Sequence, residues 1–204
     1  MKSLILTTGI IPLLLIILGS GCGMEHQENE RFWEISPEST TSMIETSIDG
    51  IGFKFCLLNE QGEPSTIFKE GENFSFYFSV KNNRNERLIF FPEYTFVDRN
   101  DFCRVYSDKN EDLGKPFHGL PHIDLGGLYP FESGESCVFE QAWLDNREMV
   151  NWWKGCCYHV DQKEPLEKGS YYTSFNSRFQ FDRSLDKPSL KIDTLNFRIN
   201  FKIQ

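Results

Sequence analysis

The sequence predicts an all-β fold for residues 51–204: two antiparallel sheets, about seven to eight strands in all, packed face to face as a sandwich. Three features predict it. Apolar and polar side chains alternate with a period of two in a succession of short segments; clusters of Gly, Pro, Asn and Asp separate those segments; and none is followed by the long amphipathic helix that a parallel α/β enzyme fold requires.

Residues 51–58 (IGFKFCLL) open the series, and a turn-rich stretch, 59–71, follows. Residues 73–81 (NFSFYFSVK) put Phe74, Phe76, Phe78 and Val80 on one face and Ser75 and Ser79 on the other, the pattern of a half-buried strand. Residues 87–91 (RLIFF) and 102–107 (FCRVYS) are shorter candidates. Residues 136–143 bring Cys137, Phe139 and Trp143 to one face, and 170–181 do the same for Tyr171, Phe175, Phe179 and Phe181. The clearest strand is 195–203, where Leu195, Phe197, Ile199, Phe201 and Ile203 alternate with Asn196, Arg198, Asn200 and Lys202. A short helix is expected near 146–154. Residues 108–135, rich in Gly and Pro, read as one long connection of the length that is often functional.

The first 50 residues have a different character. Lys2, the apolar run of residues 4–18 and the small residues Gly19-Ser20-Gly21 lead to Cys22, an arrangement that resembles the signal peptide and lipobox of a bacterial lipoprotein. The resemblance implies a signal peptide over residues 1–21, a mature chain beginning at an acylated Cys22, and attachment to the outer membrane on its periplasmic or external face. It departs from the family pattern at Gly19, where an aliphatic residue is usual, and Gly19 and Gly21 also suit ordinary signal cleavage. Retention of residues 4–21 as an uncleaved anchor is a third possibility, disfavoured by Gly9 and Pro12. Residues 22–50 are polar and acidic and read as a flexible tether. Phe32, Trp33 and Ile35 stand out within it as a segment docking onto the domain or touching the membrane interface. Glu25, Glu28 and Glu30 resemble the surface-export signal of Bacteroidetes lipoproteins.

A second resemblance lies in the turn chemistry. Gly71-Glu72 leading to a strand that closes at Asn82, Leu128 through Gly134-Glu135-Ser136, and Leu166-Glu167-Lys168-Gly169-Ser170-Tyr171 are similar to the punctuation of immunoglobulin-like domains of bacterial exported proteins, in particular the intracellular proteinase inhibitor-type domain. The resemblance implies an immunoglobulin-like sandwich and, as one functional reading, inhibition of a protease. Residues 92–113 depart from that family's signature, so the fold carries over more readily than the activity.

Charge and motif content narrow the function. The chain has 21 Lys and Arg against 30 Asp and Glu, a formal charge of −9, and lacks a basic stripe, which excludes nucleic acid as a partner. No Gly-x-Ser-x-Gly, phosphate-binding Gly loop, Cys-x-x-Cys or His-Glu-x-x-His motif occurs, so the reading favours a binding or structural module over an enzyme and implies no cofactor. His118, His122 and Asp124 are the weak candidates for a metal and for a small envelope hydrolase, but Pro121 bars the helix on which they would converge. Acylation of Cys22 leaves Cys56, Cys103, Cys137, Cys156 and Cys157; adjacent Cys156 and Cys157 are poorly placed to pair with each other, so one of them bonding Cys103 or Cys137 is the expected disulfide. Trp143, Trp152, Trp153 and Tyr129 form the candidate aromatic surface for a protein or glycan ligand, the competing reading being that these rings close one end of the core.

Overall fold

Two long strands organise the molecule, and every other strand of their sheet is attached to one of them directly or through one intervening short strand. The structure, a computed structural model, describes residues 31–90, 103–116, 129–144, 164–183 and 186–204. Twelve strands occur there: β1 (Arg31–Ile35), β2 (Met43–Ile48), β3 (Ile51–Leu58), β4 (Ile67–Phe68), β5 (Ser75–Asn82), β6 (Leu88–Phe90), β7 (Val105–Ser107), β8 (Asp112–Gly114), β9 (Tyr129–Phe131), β10 (Ser136–Ala142), β11 (Gly169–Asp182) and β12 (Leu190–Ile203). β11 and β12 pair antiparallel from Gly169 opposite Ile203 to Phe181 opposite Leu190, with a bulge between Ser177 and Phe179. On its other edge β12 takes β1 along residues 195–199 and β4 at Lys202 and Ile203, both in parallel. The outer edge of β11 takes β7 at residues 171–173 and β6 at Phe181 and Asp182, with β8 beyond β7 and β9 beyond β6. The second sheet, β10-β5-β3-β2, is antiparallel throughout.

The fold is therefore the expected all-β sandwich, with two corrections. Its larger sheet is mixed, because β1 and β4 enter parallel to β12. Short strands also share the edges of β11 and β12, which raises the strand number and places β8 and β9 inside the stretch 108–135 that reads as a single connection.

The amino-terminal boundary moves as well. Residues 31–48, expected within the tether, supply β1 and β2 to the sandwich. Trp33 stacks on Phe197 with ring centroids 5.4 Å apart, and Ile35 is buried, so this segment docks on the domain. β2 and β3 form a two-residue hairpin across Asp49-Gly50, with φ of 51° and 79°. Positive φ at both positions is the type I′ turn that matches the twist of paired strands, and Asp-Gly is one of its favoured sequences. Gly50 has a second reason to be glycine: a Cβ there would lie 2.7 Å from Cγ of Arg84.

The core is built from phenylalanine. Phe53, Phe55, Phe76 and Phe78 of the four-stranded sheet face Phe175, Phe179, Phe197 and Phe201 of the other, all buried. Phe175 meets Phe55 and Phe78 edge-on, at centroid distances of 5.0 and 5.1 Å, and Phe179 tilts onto Phe53 at 4.9 Å. Edge-to-face pairs of this kind add about 0.5–1.5 kcal/mol each beyond the area they bury.

The turn punctuation has a common geometry. In Lys69-Glu70-Gly71-Glu72 and again in Glu132-Ser133-Gly134-Glu135, the glycine has φ near 80°, and the fourth-residue backbone N–H donates to the first carbonyl. In each, the first residue's N–H donates in return to the fourth residue's carboxylate, at 2.8 and 2.7 Å. At the start of β11 the Tyr171 hydroxyl donates to the Glu167 carbonyl at 2.8 Å while its ring folds over Gly169, the geometry of a tyrosine corner. Asn82, fully buried, donates through Nδ2 to the carbonyls of Glu86 and Phe131, both at 2.9 Å, and ties the end of β5 to the opposite sheet.

Phe78→Ala should cost about 3–5 kcal/mol in urea unfolding, because the neighbouring rings come from both sheets and cannot close the space together. Thr173→Val should be neutral or stabilising in the same measurement: the Thr173 hydroxyl is buried without a hydrogen-bond partner, and removing it removes an uncompensated desolvation cost.

Candidate functional site

The residues singled out for chemistry separate into three groups. Trp143 is 2% exposed and stacks on Phe74 at 6.0 Å, so it is a core residue and not part of an exposed aromatic surface. Its indole Nε1 donates to the Glu164 carbonyl at 3.1 Å, and its neighbour Leu144 exchanges two hydrogen bonds with the Asn73 amide, at 2.8 and 2.9 Å. Together these contacts hold the carboxyl end of β10 beside the approach to β11. Tyr129 opens β9 and pairs with Phe90 through the backbone. Trp152, Trp153, His118, His122, Asp124, Cys156, Cys157, Cys22 and the helix expected near 146–154 lie outside the described residues.

No disulfide joins the described cysteines. Cys103 is fully buried with φ of 63°, and burial raises its thiol well above the ordinary value. Cys56 lies on β3 under its neighbours, and burial, reinforced by the Glu140 carboxylate, pushes its thiol up to about 12. Both stay protonated at neutral pH and are poor nucleophiles. Cys137 is half-buried on β10. Among the described residues no group of three or more His, Cys, Asp or Glu side chains is arranged to hold a metal ion.

The outer face of the eight-stranded sheet is the most elaborated surface among the described residues. Tyr106 of β7 stacks on Tyr172 of β11 at 5.0 Å, the Arg198 guanidinium lies over the Tyr172 ring, 3.8 Å from its centroid, and Glu34 of β1 pairs with Arg198 at 3.3 Å. This is a ladder across four strands. Asn200 braces it, accepting from Arg198 Nε at 3.0 Å and donating to Glu34 at 2.6 Å. Beside the ladder runs a second row, Phe32–Asn196–Asn176, whose members are register partners across β1, β12 and β11. Phe32 is 58% exposed. A cleft between Arg31, Asp49, Lys191 and Asp193 has a volume of about 180 Å³, below the roughly 300–1,000 Å³ usual for ligand pockets. Among the described residues the face is an open sheet surface whose side chains brace one another across strands.

Alternation in β12 makes its polar face visible in sequence, but not the partners that face it from β1 and β7, which depend on register between distant segments. A charged cluster beside the β2–β3 turn is likewise absent from local sequence. Glu86 accepts from Arg84 Nε at 2.9 Å, Arg183 at 2.8 Å and Lys187 Nζ at 3.0 Å. Hydrogen bonds from Lys187, Arg84 and Arg183 hold its carboxyl down at about 2. Arg84 also donates to the Asp49 carbonyl, so the cluster ties the β2–β3 turn to the β5–β6 turn and to the β11–β12 connection.

Comparison of the chain with family models, with curated proteins and with solved structures finds no match.

Because Glu86 has its folded value near 2 against an ordinary 4.5, the stability it contributes is complete above about pH 4.5 and is lost as pH falls through 2. The wild-type urea midpoint should therefore exceed that of Glu86→Gln by a constant margin at pH 6–8, and the margin should shrink below about pH 4.5 and close near pH 2.

Proposed function

We propose that this chain is an exported bacterial lipoprotein, acylated at Cys22, that holds a β-sandwich binding module against the outer membrane, on its periplasmic or external face, and works by recognition rather than catalysis. The observation that carries the reading is where the first described strand begins. β1 starts nine residues after Cys22, so every residue that resembles an export signal precedes it in the sequence. Even fully extended, nine residues reach only about 30 Å. The domain therefore sits close to the bilayer, in place of the longer stand-off that a tether reaching residue 50 would allow. Two or more acyl chains, at about 0.8 kcal/mol per buried methylene, hold such a protein where one chain would exchange.

The binding role rests on the outer face of the larger sheet. A cross-strand ladder of two tyrosines, an arginine and a glutamate fixes the side chains there before any ligand arrives, which lowers the ordering cost of binding. Nothing comparable is arranged for proton transfer or nucleophilic attack among the described residues.

Intact mass and detergent-phase partition of the full chain and of Cys22→Ser test the anchor. The expected result is a wild-type product beginning at Cys22 with the added mass of a diacylglyceryl group and an acyl chain, found in the detergent phase, and a Cys22→Ser product lacking that mass. An unmodified wild-type product beginning at or after residue 22 in the aqueous phase would overturn the reading.

A further inference from the structure

We infer that the outer face of the eight-stranded sheet lies against the bilayer in which Cys22 is anchored, with Phe32 and Ile67 as its apolar contacts. The inference rests on the acyl anchor proposed above and names the partner of the face assigned there to binding.

The length of chain that precedes β1 selects this partner. Phe32 follows Cys22 by ten residues, which span at most about 36 Å when fully extended, so its ring is never farther than that from the acylated cysteine. Alternation then divides the side chains of β1. Trp33 and Ile35 turn into the sandwich, where Trp33 stacks on Phe197, and Phe32 is left on the outer face, 58% exposed.

Exposed apolar side chains are unevenly placed. Of the three exposed large hydrophobic residues among the described ones, Phe32, Ile67 and Val138, the first two share this face. Phe32 is the register partner of Asn196 and Ile67 of Lys202, both outward-facing residues of β12, and β1 and β4 lie on the same edge of that strand. At about 3.3 Å per residue, the two contacts stand about 20 Å apart along the edge. Val138 belongs to the outer face of the four-stranded sheet, opposite Ser79.

Charge is distributed to the same effect. The side chains that β11 and β12 turn outward include four cations, Arg178, Lys191, Arg198 and Lys202, against two carboxylates, Asp182 and Asp193. Glu34 and Glu38 pair with Arg198 and Lys202, which brings the face to balance and leaves the acidic excess of the chain, 21 Lys and Arg against 30 Asp and Glu, on its other surfaces. An anionic lipid surface repels those other surfaces and so turns this face toward itself. The stacked Tyr106 and Tyr172 and the long cationic side chains suit the headgroup level, where an apolar body and a polar tip are both accommodated. Because acylation makes the contact intramolecular, two small apolar contacts suffice, whereas a free protein interface needs a larger desolvated centre.

The test is photo-cross-linking of the full acylated chain, reconstituted in vesicles of phosphatidylethanolamine and phosphatidylglycerol, with a benzophenone amino acid replacing Phe32, Ile67 or Val138 in turn. Adducts of phospholipid mass should form at the first two positions with several times the yield at the third. Thermal unfolding of each variant reports its fold, and if the replacement of Phe32 unfolds the chain, Ile67 against Val138 decides. Equal yields at the three positions, adducts with a second copy of the chain in place of lipid, or no lipid adduct at the first two positions overturn the inference. Intact mass of the same preparation keeps the two readings apart: an acylated chain without the contrast removes the membrane face and leaves the anchor standing, whereas a product without acyl mass removes both.

Discussion

The rest of this molecule depends on the register between β11 and β12. Because side chains alternate with a period of two, a slip of one residue would send Phe175, Phe179, Phe197 and Phe201 to solvent and Asn176, Asn196 and Arg198 into the core. The hairpin escapes that fate because its apolar face is long and continuous, and because the bulge at Ser177 and Phe179 allows one alignment of the two strands along their whole length. Every other strand of the larger sheet then docks on an edge already defined.

What the phenylalanine core cannot do is place the turns. At one end, Asn82 spends its amide on carbonyls from two different connections, while Glu86 gathers Arg84, Arg183 and Lys187 from turns far apart in sequence. At the other, Trp143 and Asn73 bind the carboxyl end of β10, and the tyrosine corner fixes the entry to β11. Directional hydrogen bonds are suited to this work because they specify an orientation, whereas apolar burial specifies only an area. The buried asparagine is also expensive to leave unpaired, so its neighbours are held to the geometry that satisfies it.

The surface shows how such a frame can serve recognition. A ladder of Tyr106, Tyr172, Arg198 and Glu34 crosses four strands, two of them short segments from distant parts of the chain. Each side chain in it is braced by the next, so the face is ordered independently of a partner. β1 links this face to the proposed anchor, since the strand that contributes Phe32 and Glu34 to it is also the first described strand after Cys22. Recognition and attachment would then share one segment of the chain, which holds the sheet at short range from the bilayer.

The all-β class and most of the core were legible in the sequence, because alternation in β5, β11 and β12 is a local consequence of one buried and one solvated face. Gly71, Gly134 and Tyr171 were legible for the same reason, each turn being closed by residues at most four positions apart. Some signals were present but outweighed: Asp49-Gly50 announces a hairpin, yet the acidic, polar composition around it reads as tether. For Trp143 the sequence left two readings, an exposed aromatic surface or a plug at the end of the core, and only the structure selects the second, by stacking its ring on Phe74. By itself, then, the sequence determined which residues seek the interior and where the chain turns. Only the tertiary structure decided that residues 31–48 belong to the sandwich, that Glu86 has three cationic partners, and that Phe32 stands beside Asn196 and Asn176, because each depends on pairing between segments far apart in the chain, which local pattern cannot encode.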